Sequence, residues 1–288
     1  MDQASNLRNV IKLQNQRNIK NARVITVTSG KGGVGKSNTA VNLAINFANS
    51  GKRVIIFDAD FGLANIGVIF GTAPKYNLSD VLFGNMQIKD IVCEGLNNVG
   101  FISGGSGVTS LNNLNEAQIR RTSSLLSQLD GLCDILIIDT GAGINNQVMD
   151  FVLASPEVII ISTPEPSSIT DSYALLKAMY HSPKFLCDTR VYLMANKVGS
   201  EAEGRTVYDK MNQVVAKFLG GHIEYLGMVP FDNNLEKSVR RQRVVSLDMP
   251  AARSSRAYNA AALKLLSKNE PKSNTGIGKF FNSFLRRG

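Results

Sequence analysis

Residues 23–51, "RVITVTSGKGGVGKSNTAVNLAINFANSG", constrain the fold more than any other part of the chain. From Gly30 they match G-x-x-x-x-G-K-[ST], with Lys36 and Ser37 in the last two places. The pattern works only where a strand feeds a glycine-rich turn that opens a helix, because backbone N–H groups and a helix N-terminus must converge on phosphate oxygens. Both flanks comply: "RVITVTS" is apolar and β-branched, and "SNTAVNLAINFANSG" reads as a helix. Gly30, Gly32, Gly33, Val34 and Gly35 are therefore expected to wrap the phosphates of ATP with their backbone, next to Asn38 at the helix opening. Lys36 is expected to bridge the β and γ groups, and Ser37 to ligate Mg2+. Lys31 is superfluous for that task, and the loop alone leaves it either a solvated lysine or a residue with a second purpose.

The rest of the chain repeats the strand-then-helix rhythm, which predicts an α/β fold: a single three-layer domain with a mostly parallel twisted sheet and helices on both faces. Strands are predicted over 23–29, 53–60, 99–104, 134–140, 158–163, 190–196 and 225–230, and helices over 36–50, 114–130, 145–154, 168–181, 202–219 and 250–267. Runs such as "ILII" and "VIII" require strands covered on both faces. One domain over residues 23–268 is the simplest division, with a polar tail over 1–22 and a linker plus terminal helix over 269–288.

Composition narrows the class. With 43% hydrophobic residues and no apolar run near the ~20 residues of a membrane span, the chain reads as soluble. Its start, "MDQASNLRNV", lacks the plan of a secretory signal, so the expected location is the cytoplasm. Cys93, Cys133 and Cys187 are too scattered for a disulfide framework or a CxxC metal pair. The net charge of +9 draws the surface toward polyanions such as anionic lipid or nucleic acid.

Carboxylates at strand ends, where such sheets place their ligands, supply the remaining chemistry. Asp139 closes "DILIIDTGAG" and suits the metal and its waters; Gly141 and Gly143 let the backbone approach the γ-phosphate. Asp58 and Asp60 end the second strand in "FDADFGLAN". Asp58 is expected to orient Mg2+ waters, and Asp60 to position the attacking water as a catalytic residue together with Lys36. At the base end, "MANKV" places Asn196 to bond a purine edge and Lys197 to cover its ring. The closing "GIGKFFNSFLRRG" puts Ile277, Phe280, Phe281, Phe284 and Leu285 on one helical face beside Lys279, Arg286 and Arg287. That face fits an interfacial membrane helix, or a helix docked in a groove of its own domain in another state.

Taken together, "KGGVGKS", "DADFGLAN" and "IIDTGAG" resemble the deviant Walker A ATPases of the MinD and ParA group over nearly the whole chain. "DQASNLR", "DTGAG", "STPEPSSITDSYALLK" and the basic amphipathic C-terminus resemble its FlhG (FleN) branch, which controls flagellar number and placement. The resemblance implies ATP and ADP with Mg2+ as ligands, and a homodimer in which Lys31 reaches the partner's nucleotide and activates hydrolysis. It also implies reversible attachment to the inner face of the cell membrane through the C-terminal helix, and an adenine pocket completed by Pro230 and Asp232. Asp2, Gln3, Leu7 and Arg8 match a motif that stimulates the signal-recognition-type GTPase FlhF, and flagellar switch or C-ring proteins are further implied partners. Rival readings are a division-site regulator like MinD, and a DNA partition ATPase like ParA using Lys237, Arg240, Arg241, Arg243, Arg253 and Arg256 on phosphates; nucleic acid is the less favoured partner. A metabolic kinase would need an acceptor pocket, and an iron-sulfur carrier would need a cysteine pair.

Overall fold

The computed structural model describes residues 21–60, 65–84, 86–105, 115–272 and 276–286. β1 (Arg23–Ser29), β2 (Val54–Ala59), β3 (Cys93–Glu94), β4 (Val99–Ser103), β5 (Ile135–Ala142), β6 (Glu157–Ser162), β7 (Arg190–Val198) and β8 (Glu224–Pro230) form one sheet in the order β3-β4-β2-β5-β1-β6-β7-β8. Every neighbouring pair is parallel except β3 with β4. The helices are α1 (Lys36–Asn49), α2 (Asn65–Phe70), α3 (Leu78–Leu82), α4 (Glu116–Leu126), α5 (Asn146–Ala154), α6 (Pro166–Tyr180), α7 (Glu201–Leu219), α8 (Asn233–Arg240), α9 (Val245–Asp248), α10 (Arg253–Leu266) and α11 (Ile277–Leu285).

The period-2 alternation of strand side chains sorts the core into layers. Ile25 and Val27 of β1 and Ile159 and Ile161 of β6 pack on one face with Val41, Tyr258 and Leu265 of α1 and α10. Val24 of β1 points the other way and joins Leu136, Ile138 and Phe151. On that same side of the sheet, Val158 and Ile160 meet Leu175 and Val207 of α6 and α7. Each strand and helix expected from the sequence is present with its ends shifted by a few residues. The expectation missed β3, which is too short to show a period, and α2, α3, α8 and α9, each at most a little over two turns long.

At the N-terminal end of the strands the guanidinium of Arg23 grips Glu157 through two 2.6 Å hydrogen bonds and donates to Leu265 O at 2.7 Å. The pair is nearly dry, with side chains 5% and 0% exposed. Beyond α10 the linker stays on the domain: Lys268 pairs with Glu224, Arg190 donates to Asn269 O, and Pro271 is buried.

Of the two alternatives for the C-terminal apolar face, this structure displays the docked one. Ile277, Phe280, Phe281, Phe284 and Leu285 are all buried at 4% exposure or less. Phe284 stacks on Phe151 with ring centroids 4.0 Å apart, and Phe281 meets Phe57 edge-on at 5.5 Å. At the rim, Arg286 forks onto both carboxylate oxygens of Glu116 at 3.0 and 2.9 Å. Toward the N-terminus, Ala22 is fully buried. Asp2, Gln3, Leu7 and Arg8 lie outside the described residues.

Candidate functional site

β1 lies between β5 and β6 in the middle of the sheet, so the loop leaving it emerges where the carboxylates of neighbouring strands converge. Two glycines are there because nothing larger fits. A Cβ on Gly30 would sit 2.2 Å from the Asp171 backbone of α6, and Gly35 combines a left-handed φ of 98° with a Cβ position 2.4 Å from Asn196 Nδ2. Gly35 also caps α1 without any side-chain hydrogen bond, which leaves first-turn N–H groups to face an anion.

Behind the loop, Lys36 is 8% exposed, and burial lowers its pKa against the pull of Asp139 and Asp60. Asp139 is wholly buried, neither of its oxygens has a geometrically formed hydrogen bond, and the donor nearby is the Ser37 hydroxyl. Burial pushes it up to about 7; Ser37 and Lys36 temper the rise while Asp58 and Asp60 add to it. A buried carboxylate met by no backbone donor, next to the Ser37 hydroxyl and a phosphate loop, is an unmet demand for a cation. The donor set fits Mg2+, which takes few protein ligands and leaves the rest of its shell to phosphate oxygens and water. Among the described residues no three His, Cys, Asp or Glu side chains form a closed metal cage.

Asp58 stands opposite Asp139 in the β2-β5 register. Its carboxylate is occupied, accepting from the N–H groups of Asp60 and Ile66 at 3.1 Å each. Burial raises it to about 6, and these two hydrogen bonds oppose the rise. Asp58 thus ties Asp60 to Ile66, a task that sequence reasoning missed because its partner Ile66 is defined only by the fold. Asp60 faces the loop: it accepts from Asn65 Nδ2 at 3.2 Å and lies 3.6 Å from where a Cβ on Gly141 would be. A cavity of about 660 Å³ is lined by Gly32, Lys36, Ser37, Asp60 and Ala142. Gly143 adopts φ 93° and returns its N–H to Ser29 O at 3.0 Å, and its neighbour Ala142 lines the cavity.

A second compartment of about 360 Å³ shares Gly33, Gly35 and Asn38 with the first and is walled by Pro230 and Phe231. Asn196 and Lys197 line it, but the structure gives their side chains a different first task. Asn196 Nδ2 donates to Val34 O at 2.7 Å and its Oδ1 accepts from Lys197 N at 2.9 Å. Lys197 Nζ donates to Gly33 O at 3.0 Å. Both hold the loop from behind, and one of the two amide hydrogens of Asn196 is donated to Val34. Asp232 caps α8 through Asn234 N at 2.9 Å and takes both the N–H and the hydroxyl of Ser254. Phe231, Tyr258 and Gln242 also line these compartments. Only Phe231, adjacent to Pro230 in "VPFD", had any signal in the sequence.

Lys31 is absent from both linings. Its ammonium lies on the surface, 2.8 Å from Glu165 Oε2 and 2.7 Å from Ser167 Oγ at the start of α6. The two lysines of one loop thus face different places.

The family model of the CobQ/CobB/MinD/ParA nucleotide binding domain matches residues 25–245. The antiactivator FleN of Pseudomonas aeruginosa is 38% identical over 90% of this chain and 91% of its own. The flagellum site-determining protein YlxH of Helicobacter pylori is 35% identical over 99% of this chain and 98% of its own. Among solved structures, MinD in the MinC:MinD complex of Aquifex aeolicus superposes with a TM-score of 0.68 at 23% identity, over 86% of this chain and 97% of that one. MinD of Pyrococcus horikoshii complexed with Mg-ADP gives 0.66 at 21% identity, over 85% and 96%; both share the fold. The chain belongs to the CobQ/CobB/MinD/ParA nucleotide-binding family and, within it, stands with the FleN and YlxH proteins.

Proposed function

We propose that this chain is a Mg2+-dependent ATPase switch that dimerises in its ATP form, binds membrane reversibly from the cytoplasmic side, and regulates the number and placement of flagella. The coarse part, a regulatory ATPase of the flagellar and MinD type, rests on the family and on the FleN and YlxH relatives. The observation that carries the finer part is the separation of the two loop lysines, Lys36 buried beside Asp139 and Asp60, Lys31 exposed and outside the cavity.

Ser37 and Asp139 would hold Mg2+, which when bound neutralises phosphate charge. Lys36 stabilises β and γ oxygens from a low-dielectric position, where a cation counts for more than in water. Asp60, on the cavity wall, orients the attacking water, and Asp58 fixes Asp60 by gathering the N–H groups around it. Lys31 serves a second copy: a cation delivered across a dimer meets phosphate only when the dimer closes.

Membrane attachment requires α11 to leave its groove, because the same five side chains cannot face lipid and Phe57 at once. A single short anchor is worth roughly 10⁴ M⁻¹, about 5 kcal/mol. Docking competes for the same apolar surface at roughly 1.5–3 kcal/mol per large side chain. The two burials therefore oppose each other, and two helices on one dimer move the balance toward lipid by avidity of ~10²-fold or more. The N-terminal segment with Asp2, Gln3, Leu7 and Arg8 is assigned to stimulation of FlhF by its sequence motif alone.

Flotation with liposomes of mixed anionic and zwitterionic phospholipid, run beside size-exclusion chromatography, tests the switch. A dimer and liposome recovery are expected with a non-hydrolysable ATP analogue and not with ADP. Equal recovery in both nucleotides would remove the membrane part of the reading. Deleting residues 1–20 should abolish stimulation of FlhF and spare ATP hydrolysis; unchanged stimulation would remove the FlhF part.

A further inference from the structure

One carboxylate holds the chain both where it enters β1 and where it enters α11. Asp130, in the short turn Ser127–Gly131 after α4, accepts from Ala22 N at 2.8 Å through Oδ1. The same group accepts from Ile277 N at 3.1 and 3.2 Å through its two oxygens. Ala22 is the residue immediately before β1, and Ile277 opens α11. The donors are separated by most of the sequence, yet each is fully buried and each uses this carboxylate.

The chemistry explains why an acid is required. α11 is nine residues long and its cap position, Gly276, offers no side-chain hydrogen bond. Helices this short are marginal on their own, and their first N–H groups need an acceptor. Asp130 supplies that acceptor from another part of the fold, with the negative charge that a helix N-terminus favours.

An independent observation places the N-terminal approach at the same point. Gly276 has φ 89°, and a Cβ built on it would lie 2.9 Å from Asn21 Oδ1 and 3.1 Å from Asp130 Oδ2. Asn21, Asp130 and Gly276 therefore close on one another, and a methyl group on Gly276 would push against both side chains. Two residues on, a Cβ on Gly278 would come within 2.6 Å of Ser127 Cβ, so α11 crosses this turn at glycine distance.

We infer that Asp130 is a two-ended latch: seating α11 and seating the segment that leads into β1 are one event, and undocking the helix loosens the chain at Asn21 and Ala22. The inference rests on the proposed switch only for its use, since that reading assigns membrane to one end and a GTPase partner to the other. The latch would make the membrane-bound state the one in which the chain loosens at Asn21 and Ala22, directly after the segment assigned to the partner.

Amide exchange at Ala22 and Ile277, read by NMR on the full-length chain without nucleotide or lipid, tests the coupling. Phe284→Asp undocks α11 through its apolar face and leaves Asp130 in place. Ala22 N–H is then expected to exchange at least about tenfold faster while the central amides of β1 keep their protection. Asp130→Asn is expected to speed exchange at both Ala22 and Ile277. Should Asp130→Asn not fold, Gly276→Ala disturbs the same junction and carries the same expectation at both amides. Unchanged exchange at Ala22 after α11 undocks overturns the latch, as does a folded Asp130→Asn without effect at Ile277. Neither readout involves ATP or liposomes, so a failed latch leaves the switch standing, and liposome recovery indifferent to nucleotide leaves the latch standing.

Discussion

Lys31 Nζ rests 2.8 Å from Glu165 Oε2, so the lysine assigned to a second copy is already paired within its own chain. Ser167 Oγ completes the arrangement at 2.7 Å. The pair is solvated, with side chains 36% and 62% exposed, and the lysine lowers the pKa of Glu165 mainly through the hydrogen bond. Such a contact can hold a side chain in readiness without locking it.

Releasing Lys31 costs part of that contact each time a dimer forms. Glu165→Gln should therefore favour ATP-dependent dimerisation modestly, by up to about fivefold per subunit, as expected for an exposed pair. Sedimentation in a non-hydrolysable analogue measures it. A weaker dimer would mean that Glu165 keeps holding Lys31 after closure.

The two lysines should separate by experiment. Lys36→Ala removes the buried cation of the phosphate cavity and should abolish nucleotide binding. Lys31→Ala should bind a fluorescent ATP analogue within about threefold of the parent, yet lose the dimer and hydrolysis by at least ~10²-fold, as for a cation supplied in trans. A Lys31→Ala protein that dimerises normally ends the assignment.

Local spacing explains what was readable in advance. The strand, loop and α1 follow from a pattern whose fixed positions each have a physical reason, and Asp139 stands out because an acid closes four aliphatics. What stayed hidden depends on distance along the chain. Glu165 lies 134 residues from Lys31, and Asn196 lies 162 from Val34. No local signal says that Asp58 will spend its oxygens on Ile66. The apolar face of α11 was legible, but a 3.6-residue period looks the same whether lipid or Phe151 covers it.

Gly35→Ala tests the loop's backbone. The substitution asks alanine for φ 98° and drives its Cβ into the amide of Asn196. The strain is about 1–3 kcal/mol and falls on the hydrogen bond that Asn196 makes to Val34. A lowered melting temperature together with lost ATP affinity is expected; unchanged ATP affinity would show that Asn196 does not shape the loop.

Far from the nucleotide, Glu157→Gln leaves the Arg23 guanidinium buried without its counter-charge. Breaking such a pair from one side costs about 3–5 kcal/mol. Urea unfolding should register that loss, with ATP affinity retained while the protein stays folded, since the pair sits at the opposite end of β1 from the loop. A change in ATP affinity without a change in stability would contradict this placement.

The rim of α11 offers a way to shift docking without touching its apolar face. Arg286 forks onto Glu116, which also takes Arg120 at 3.3 Å, and all three side chains are half-exposed or more open. Glu116→Ala removes the fork and leaves Phe280, Phe281 and Phe284 available to lipid as before. Undocking should become easier by no more than about fivefold, the range of a surface pair. Liposome recovery in ADP should rise by that factor, because docking is what opposes a single anchor there. With a non-hydrolysable ATP analogue the gain should be smaller, since two helices on one dimer already favour the membrane. Recovery that falls in both nucleotides would instead assign Glu116 and Arg286 to the lipid-bound form.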